Sequence, residues 1–138
     1  MSEEIIEKPN AKILLLEDYS DLIPFYRKRL IEAGFDILVE NDEKQGMETA
    51  VKEKPDLIIL DISLPEVDDF DFIKEAKKNK EIAKIPIVVL TDLSAPEDFA
   101  LGLAAGASDY FIRDDFTFTE VIDKIREILD KEKLKIKN

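Results

Sequence analysis

Four short apolar runs in this chain lead into residues that can do chemistry. Ile13-Leu14-Leu15-Leu16 runs into Glu17-Asp18, and Leu57-Ile58-Ile59-Leu60 runs into Asp61, followed by Ile62-Ser63-Leu64-Pro65. Ile87-Val88-Val89-Leu90 runs into Thr91-Asp92, and Tyr110-Phe111-Ile112 into Arg113-Asp114-Asp115. An acid after any one such run is most often a turn former or a helix cap. Glu17, Asp18 and Asp61 are harder to dismiss if their runs are neighbours, because close carboxylates resist joint ionisation unless a cation lies among them. Oxygen donors without His or Cys suit Mg²⁺, which keeps several waters and often bridges carboxylates to phosphate. A carboxylate beside such an ion can act as a nucleophile toward a phosphoryl group, since the metal screens one anion from the other. Thr91 could then donate a hydrogen bond to a transferred phosphoryl oxygen, and Arg113 could neutralise its charge.

The composition narrows the alternatives. The chain has 138 residues, 20 basic against 32 acidic, for a net charge of −12, and it contains no histidine and no cysteine. Disulfides, thiolate metal sites, cysteine nucleophiles, serine–histidine triads and imidazole ligands are excluded. The acidic balance argues against a direct grip on nucleic acid, whose phosphates are held mainly by Lys and Arg. No apolar run approaches the roughly 20 residues needed to cross a bilayer. Met1 to Pro9 opens acidic, without the basic start of a signal peptide. The expectation is a cytoplasmic protein with no membrane association. This length suits one domain.

The elements that must position the acids can be read from pattern. The runs above, together with Asp36-Ile37-Leu38-Val39, are short, rich in Ile and Val and bounded by turn residues, as buried strands are. Between them lie segments of helical period. The clearest runs from Thr117 to about Leu134, with Phe118, Val121, Ile122, Ile125 and Leu129 on one face. Thr117-Phe118-Thr119-Glu120 and Ser94-Ala95-Pro96-Glu97 fit the capping box. Ser20 or Asp21 suits the start of the first helix and Gly34 its end; Asn41 or Asp42 begins the second, which its interior Gly46 should weaken slightly. The third helix, about Asp69 to Asn79, has no clean stripe among Phe70, Phe72, Ile73 and Ala76. Five βα repeats predict a parallel sheet with helices on both faces. In such sheets ligands bind beyond the carboxyl ends of the strands, the edge where the acids gather. Residues 1–10 read as an acidic tail, 11–134 as the domain and 135–138 as a basic tail. Cations in Lys131-Glu132-Lys133-Leu134-Lys135-Ile136-Lys137 suit a helix C-terminus.

In this order, the motifs resemble those of the response-regulator receiver domain, the CheY-like module of two-component signalling, over about residues 11–134. Leu14-Leu15-Leu16-Glu17-Asp18 resembles its first strand and acidic pair, and Pro55-Asp56-Leu57-Ile58-Ile59-Leu60-Asp61-Ile62-Ser63-Leu64-Pro65 its phosphoacceptor segment. Ile85-Pro86-Ile87-Val88-Val89-Leu90-Thr91 resembles the fourth strand, and Gly106-Ala107-Ser108-Asp109-Tyr110-Phe111-Ile112-Arg113 the fifth. The resemblance implies a single doubly wound (βα)5 α/β sandwich of the flavodoxin-like, CheY-like kind, with a five-stranded parallel sheet of order 2-1-3-4-5. It implies that Asp61 is phosphorylated from a histidine on a sensor kinase or a phosphotransfer protein. Glu17, Asp18, Asp61 and the backbone carbonyl of Ser63 would hold Mg²⁺, and Thr91 and Tyr110 would form the switch pair. Output would pass to a downstream protein through the face at about Pro96–Leu134, and a second copy of the chain is a possible partner. No DNA-binding segment follows Leu134, so output is expected through another protein or a domain outside this chain.

The sequence departs from the family pattern at four positions. Arg113 stands where the family has a Lys that contacts the phosphoryl group, and a forked guanidinium is not equivalent to a compact ammonium. The proline that usually follows is replaced by Asp114. Asp69 replaces a usual Gly, which an Asp tolerates better than most residues, and Asp92 follows Thr91, where its charge would repel an incoming phosphoryl group or pair with Arg113. Asp92 and Asp69 are therefore candidate modulators. The expected function is a signalling switch rather than an enzyme, beyond Mg²⁺-dependent self-phosphorylation and self-dephosphorylation. The alternative is a pseudo-receiver, a phosphorylation-independent interaction module. A nucleotide- or flavin-binding enzyme finds no support: none of Gly34, Gly46, Gly102 and Gly106 falls in a GxGxxG or GxxxxGK arrangement.

Overall fold

Each apolar run forms a strand, and each strand is followed by a helix. The computed structural model describes residues 10–17, 23–62, 69–91, 96–112 and 115–137. The order is β1 (Lys12–Glu17), α1 (Ile23–Glu32), β2 (Asp36–Glu40), α2 (Glu43–Glu53), β3 (Leu57–Ile62), α3 (Asp69–Lys78), β4 (Ile87–Thr91), α4 (Pro96–Ala105), β5 (Asp109–Ile112) and α5 (Phe118–Lys137). All neighbouring strands pair in parallel, in the order β2-β1-β3-β4-β5. The expected doubly wound sheet is therefore the observed one.

A parallel sheet covered on both faces must bury consecutive side chains, which alternate between faces. Two cores result. Ile13, Leu15, Leu57, Ile59, Val88, Leu90 and Phe111 pack against Tyr26 and Leu30 of α1 and Val121, Ile122, Ile125 and Leu129 of α5. Leu14, Leu16, Ile58, Leu60, Ile87, Val89 and Tyr110 pack on the other face against Ala50 of α2, Phe70, Phe72, Ile73 and Ala76 of α3, and Ala105 of α4. The stripe read from α5 is thus the face it buries.

Two helix starts carry the chemistry expected of them. Asp42 caps α2, accepting from the backbone N–H of Lys44 at 2.7 Å and of Gln45 at 3.4 Å. At α5 the box is reciprocal: Thr117 Oγ1 accepts from the Glu120 N–H at 3.1 Å, and Glu120 Oε1 from the Thr117 N–H at 2.9 Å. These bonds satisfy donors that a first helical turn leaves over. The other expected cap residues, Ser20, Asp21 and Ser94, lie outside the described residues. Residues 135–137, read as part of a tail, continue α5. Lys and Glu are good helix formers, and lysines near a helix C-terminus complement its dipole.

The two helices that sequence reasoning weighed least well are explained by packing. α3 does have one broad apolar face: Phe70, Phe72, Ile73 and Ala76 are all buried on it, with the Phe70 ring at its edge reaching toward Gly102 of α4. Gly46, expected only to weaken α2, is buried, and a Cβ there would strike the Leu16 side chain. The glycine lets α2 lie close on β1, just before Glu17. At the opposite end of the sheet Lys77 of α3 donates to the carbonyls of Ile85 at 2.8 Å and Ala83 at 3.2 Å. Burial lowers its ammonium pKa, against a smaller opposing pull from Glu132 of α5. That lysine ties α3 to the segment that leads into β4.

Candidate functional site

Among the described residues three polar or charged side chains are buried: Glu17 at 1 % exposure, Asp61 at 3 % and Thr91 at 0 %. All three lie at the carboxyl ends of adjacent strands. β1 and β3 pair so that Glu17 is opposite Asp61, and β3 and β4 so that Ile62 is opposite Thr91. Burying an ionised carboxylate is costly unless a counter-charge or donors offset it. Two buried acids face each other in register at the end of an otherwise apolar sheet. Their hard oxygen donors fit a small divalent cation such as Mg²⁺. Among the described residues two acids meet here rather than three, because Asp18 lies outside them, as do Ser63, Asp92 and Arg113. Asp69 opens α3, and its side chain is also outside the described set.

Strand parity divides the site. Glu17 and Asp61 share the alternation of Ile13 and Leu15 and of Leu57 and Ile59, the α1/α5 face. Thr91 follows Ile87 and Val89 on the other face, where Tyr110 also lies. Tyr110 is 3 % exposed, its ring edge-on to Phe99 of α4 with centroids 5.4 Å apart and planes at 68°. Its phenol is pushed up to about 12 by burial and by the nearby Asp98 carboxylate, against a hydrogen bond with the Thr91 side chain that acts in the opposite sense. The pair expected to act together is thus in contact. Sequence reasoning passed over Asp98 and Phe99. The available signal was an aromatic at the head of Phe99-Ala100-Leu101-Gly102-Leu103-Ala104-Ala105, a helix otherwise lacking large rings.

This environment has a measurable consequence. The difference in tyrosinate absorbance between the wild type and Tyr110→Phe should titrate near pH 12, whereas an unperturbed phenol titrates at about 10. Between those values the folded state keeps a proton that the unfolded state has released. The contribution to stability is therefore whole below about pH 10 and is lost as pH rises toward about 12. A midpoint near 10 would show that the ring is not held in this environment.

A five-stranded parallel α/β sandwich of this strand order is a doubly wound domain whose ligand edge lies at the carboxyl ends of its strands, where the buried acids stand. The sequence pattern of the response regulator receiver domain matches residues 13–136. The chain belongs to that family, and is a receiver domain of the two-component response regulators. It is 32% identical over 125 residues to the alkaline phosphatase synthesis transcriptional regulatory protein PhoP of Bacillus subtilis, a match covering 91% of this chain and 51% of PhoP. It is 34% identical over 118 residues to the transcriptional regulatory protein CusR of Escherichia coli, covering 86% of this chain and 51% of CusR. The chain thus spans about half the length of these curated relatives. Among solved structures, the BeF3-activated N-terminal receiver domain of Klebsiella pneumoniae RstA superposes with a TM-score of 0.76 at 30% identity, over 86% of this chain and 97% of that one.

Proposed function

We propose that this receiver is a phosphorylation switch in which Asp61 accepts a phosphoryl group from a histidine on a sensor kinase or phosphotransfer protein. The observation that carries the reading is the burial of Glu17, Asp61 and Thr91, among the described residues, at three adjacent strand ends of an otherwise apolar sheet. In the transfer an oxygen of the Asp61 carboxylate attacks phosphorus. The new P–O bond forms as the P–N bond to the donor imidazole breaks, and the imidazole leaves with the electron pair and is neutral once protonated. Glu17, Asp18, Asp61 and the Ser63 carbonyl would hold Mg²⁺, which when bound supplies the positive charge that lets two anions approach. Catalysis in such a transfer is mostly positioning and charge neutralisation. Thr91 donates to a phosphoryl oxygen and exchanges its bond with the Tyr110 phenol for it. Arg113 takes the place of the family's Lys as the cationic contact, and Asp92 and Asp69 modulate the rate.

The readout is a population shift, which requires contacts that differ between the two states. The α4 surface suits a downstream protein, since Phe99, Leu101 and Leu103 are 41 %, 56 % and 39 % exposed, and exposed apolar patches mark interaction sites. Among the described residues no helix is long and apolar enough to cross a membrane, and we place the protein in the cytoplasm. It turns over no substrate of its own beyond its own phosphorylation and dephosphorylation. Beryllium fluoride with Mg²⁺ should shift the NMR resonances of Thr91 and Tyr110 in the wild type and leave them in place in Asp61→Asn. A wild type that does not respond would instead be a phosphorylation-independent interaction module.

A further inference from the structure

Gly102 lies in the middle of α4 and is buried. Its backbone is helical and is not in the left-handed region, so no turn requires a glycine there. In a helix interior glycine is a poorer choice than alanine, because it loses more backbone freedom on folding. The reason for it lies across the core. A Cβ at this position would come within 2.9 Å of Cδ2 and 3.1 Å of Cε2 of Tyr110, and 3.5 Å from Cε1 of Phe70. The Phe70 distance is ordinary contact; the Tyr110 distances are well inside the ~3.5–4.0 Å optimum for carbon pairs. The Tyr110 ring therefore occupies the space that a side chain at 102 would fill.

The rest of the ring's surroundings bear on how such a clash would be relieved. Tyr110 sits on β5, whose backbone pairs with β4 in fixed register, Val89 opposite Tyr110 and Thr91 opposite Ile112. Phe70 of α3 belongs to the same buried cluster as the ring, and Phe99, itself 41 % exposed, meets the ring edge-on from α4. Strand and helices are each held by their own packing, so the cheapest movement is rotation of the tyrosine about χ1, away from Thr91 and outward past Phe99. We infer that Gly102 is a positioning residue for the switch ring: the missing side chain is the seat that lets Tyr110 lie inward beside Thr91, and the α4 backbone thereby sets the balance between inward and outward ring. The inference rests on the reading of Thr91 and Tyr110 as a switch pair, and it adds the element that biases that pair.

The test is Gly102→Ala in the full chain, alone and together with Tyr110→Ala, read by tyrosine titration and thermal midpoint. In Gly102→Ala the Tyr110 phenol should titrate near 10, the usual value, instead of about 12, and the midpoint should not rise. With the ring removed by Tyr110→Ala, the same glycine replacement should raise the midpoint, as alanine does in an unobstructed helix. A titration that stays near 12 with a raised midpoint in both backgrounds would overturn the inference. If Gly102→Ala alone fails to fold, a folded double variant supports it. A double variant that also fails overturns it, because the obstruction then lies elsewhere in α4. A wild type whose Tyr110 ignores beryllium fluoride would remove the switch reading, and the regulatory half of the inference with it, while the titration still decides whether Gly102 seats the ring.

Discussion

An Asp61→Asn variant should gain no phosphoryl mass from acetyl phosphate and Mg²⁺ under conditions that modify the wild type, as read by intact mass spectrometry. The two side chains have nearly the same shape, and Asp61 is buried, so the fold should persist. The carboxamide, however, is neutral and a poor nucleophile, and it removes an anionic donor from any cation site. The same substitution should act on stability in the opposite direction when the metal is chelated. Like charges at close range repel, and Asp61 faces Glu17 in strand register. The gain is smaller to the extent that both acids already have partners within the fold. In chelator, then, Asp61→Asn should melt above the wild type, and Mg²⁺ should stabilise the wild type more than the variant. Equal labelling of the two proteins, or a label mapped to another residue, would defeat the assignment of Asp61.

Ile73→Ala and Ile125→Ala should each cost about 2–5 kcal/mol, as deletion of a buried branched side chain does. Both residues are fully buried, Ile73 on α3 in one core and Ile125 on α5 in the other. The sheet stands between them and they belong to separate clusters, so their costs should add to within about 0.5 kcal/mol. Together they would consume most of the roughly 5–15 kcal/mol by which a domain is stable. Denaturant melts of the two single variants and the double variant measure this directly. A double variant much more stable than the sum would mean that the two cores relax as one.

Much of this architecture was legible because its signals are local. Runs such as Leu57-Ile58-Ile59-Leu60 can be little else than buried strands, and Thr117 with Glu120 writes a helix start into four residues. The start of α2 was legible to within two residues, Asn41 or Asp42, and Asp42 is the cap. The strand order was not visible in periodicity, since every strand reads alike, and came only with the family resemblance. The two interior glycines, Gly46 and Gly102, answer to neighbours distant in sequence, so their meaning appears only once Leu16 and Tyr110 are in place. For the site, the strand-end acids could be listed from the sequence, but not that Glu17 and Asp61 stand in register while Thr91 turns the other way. Nor could pattern show that Asp98 and Phe99 border the tyrosine.

The opposed parity of the two pairs makes the sheet a partition. The acids finish strands on the side lined by α1 and α5, while Thr91 and Tyr110 belong to the side lined by α2, α3 and α4. On the proposed reading, a change at Asp61 would reach α4 past the end of β4, where Thr91 stands, and would move the Tyr110 ring on that side alone. The packing behind Glu17 and Asp61 and the packing around Thr91 and Tyr110 thus belong to different compartments, so either can be altered with the sheet between it and the other.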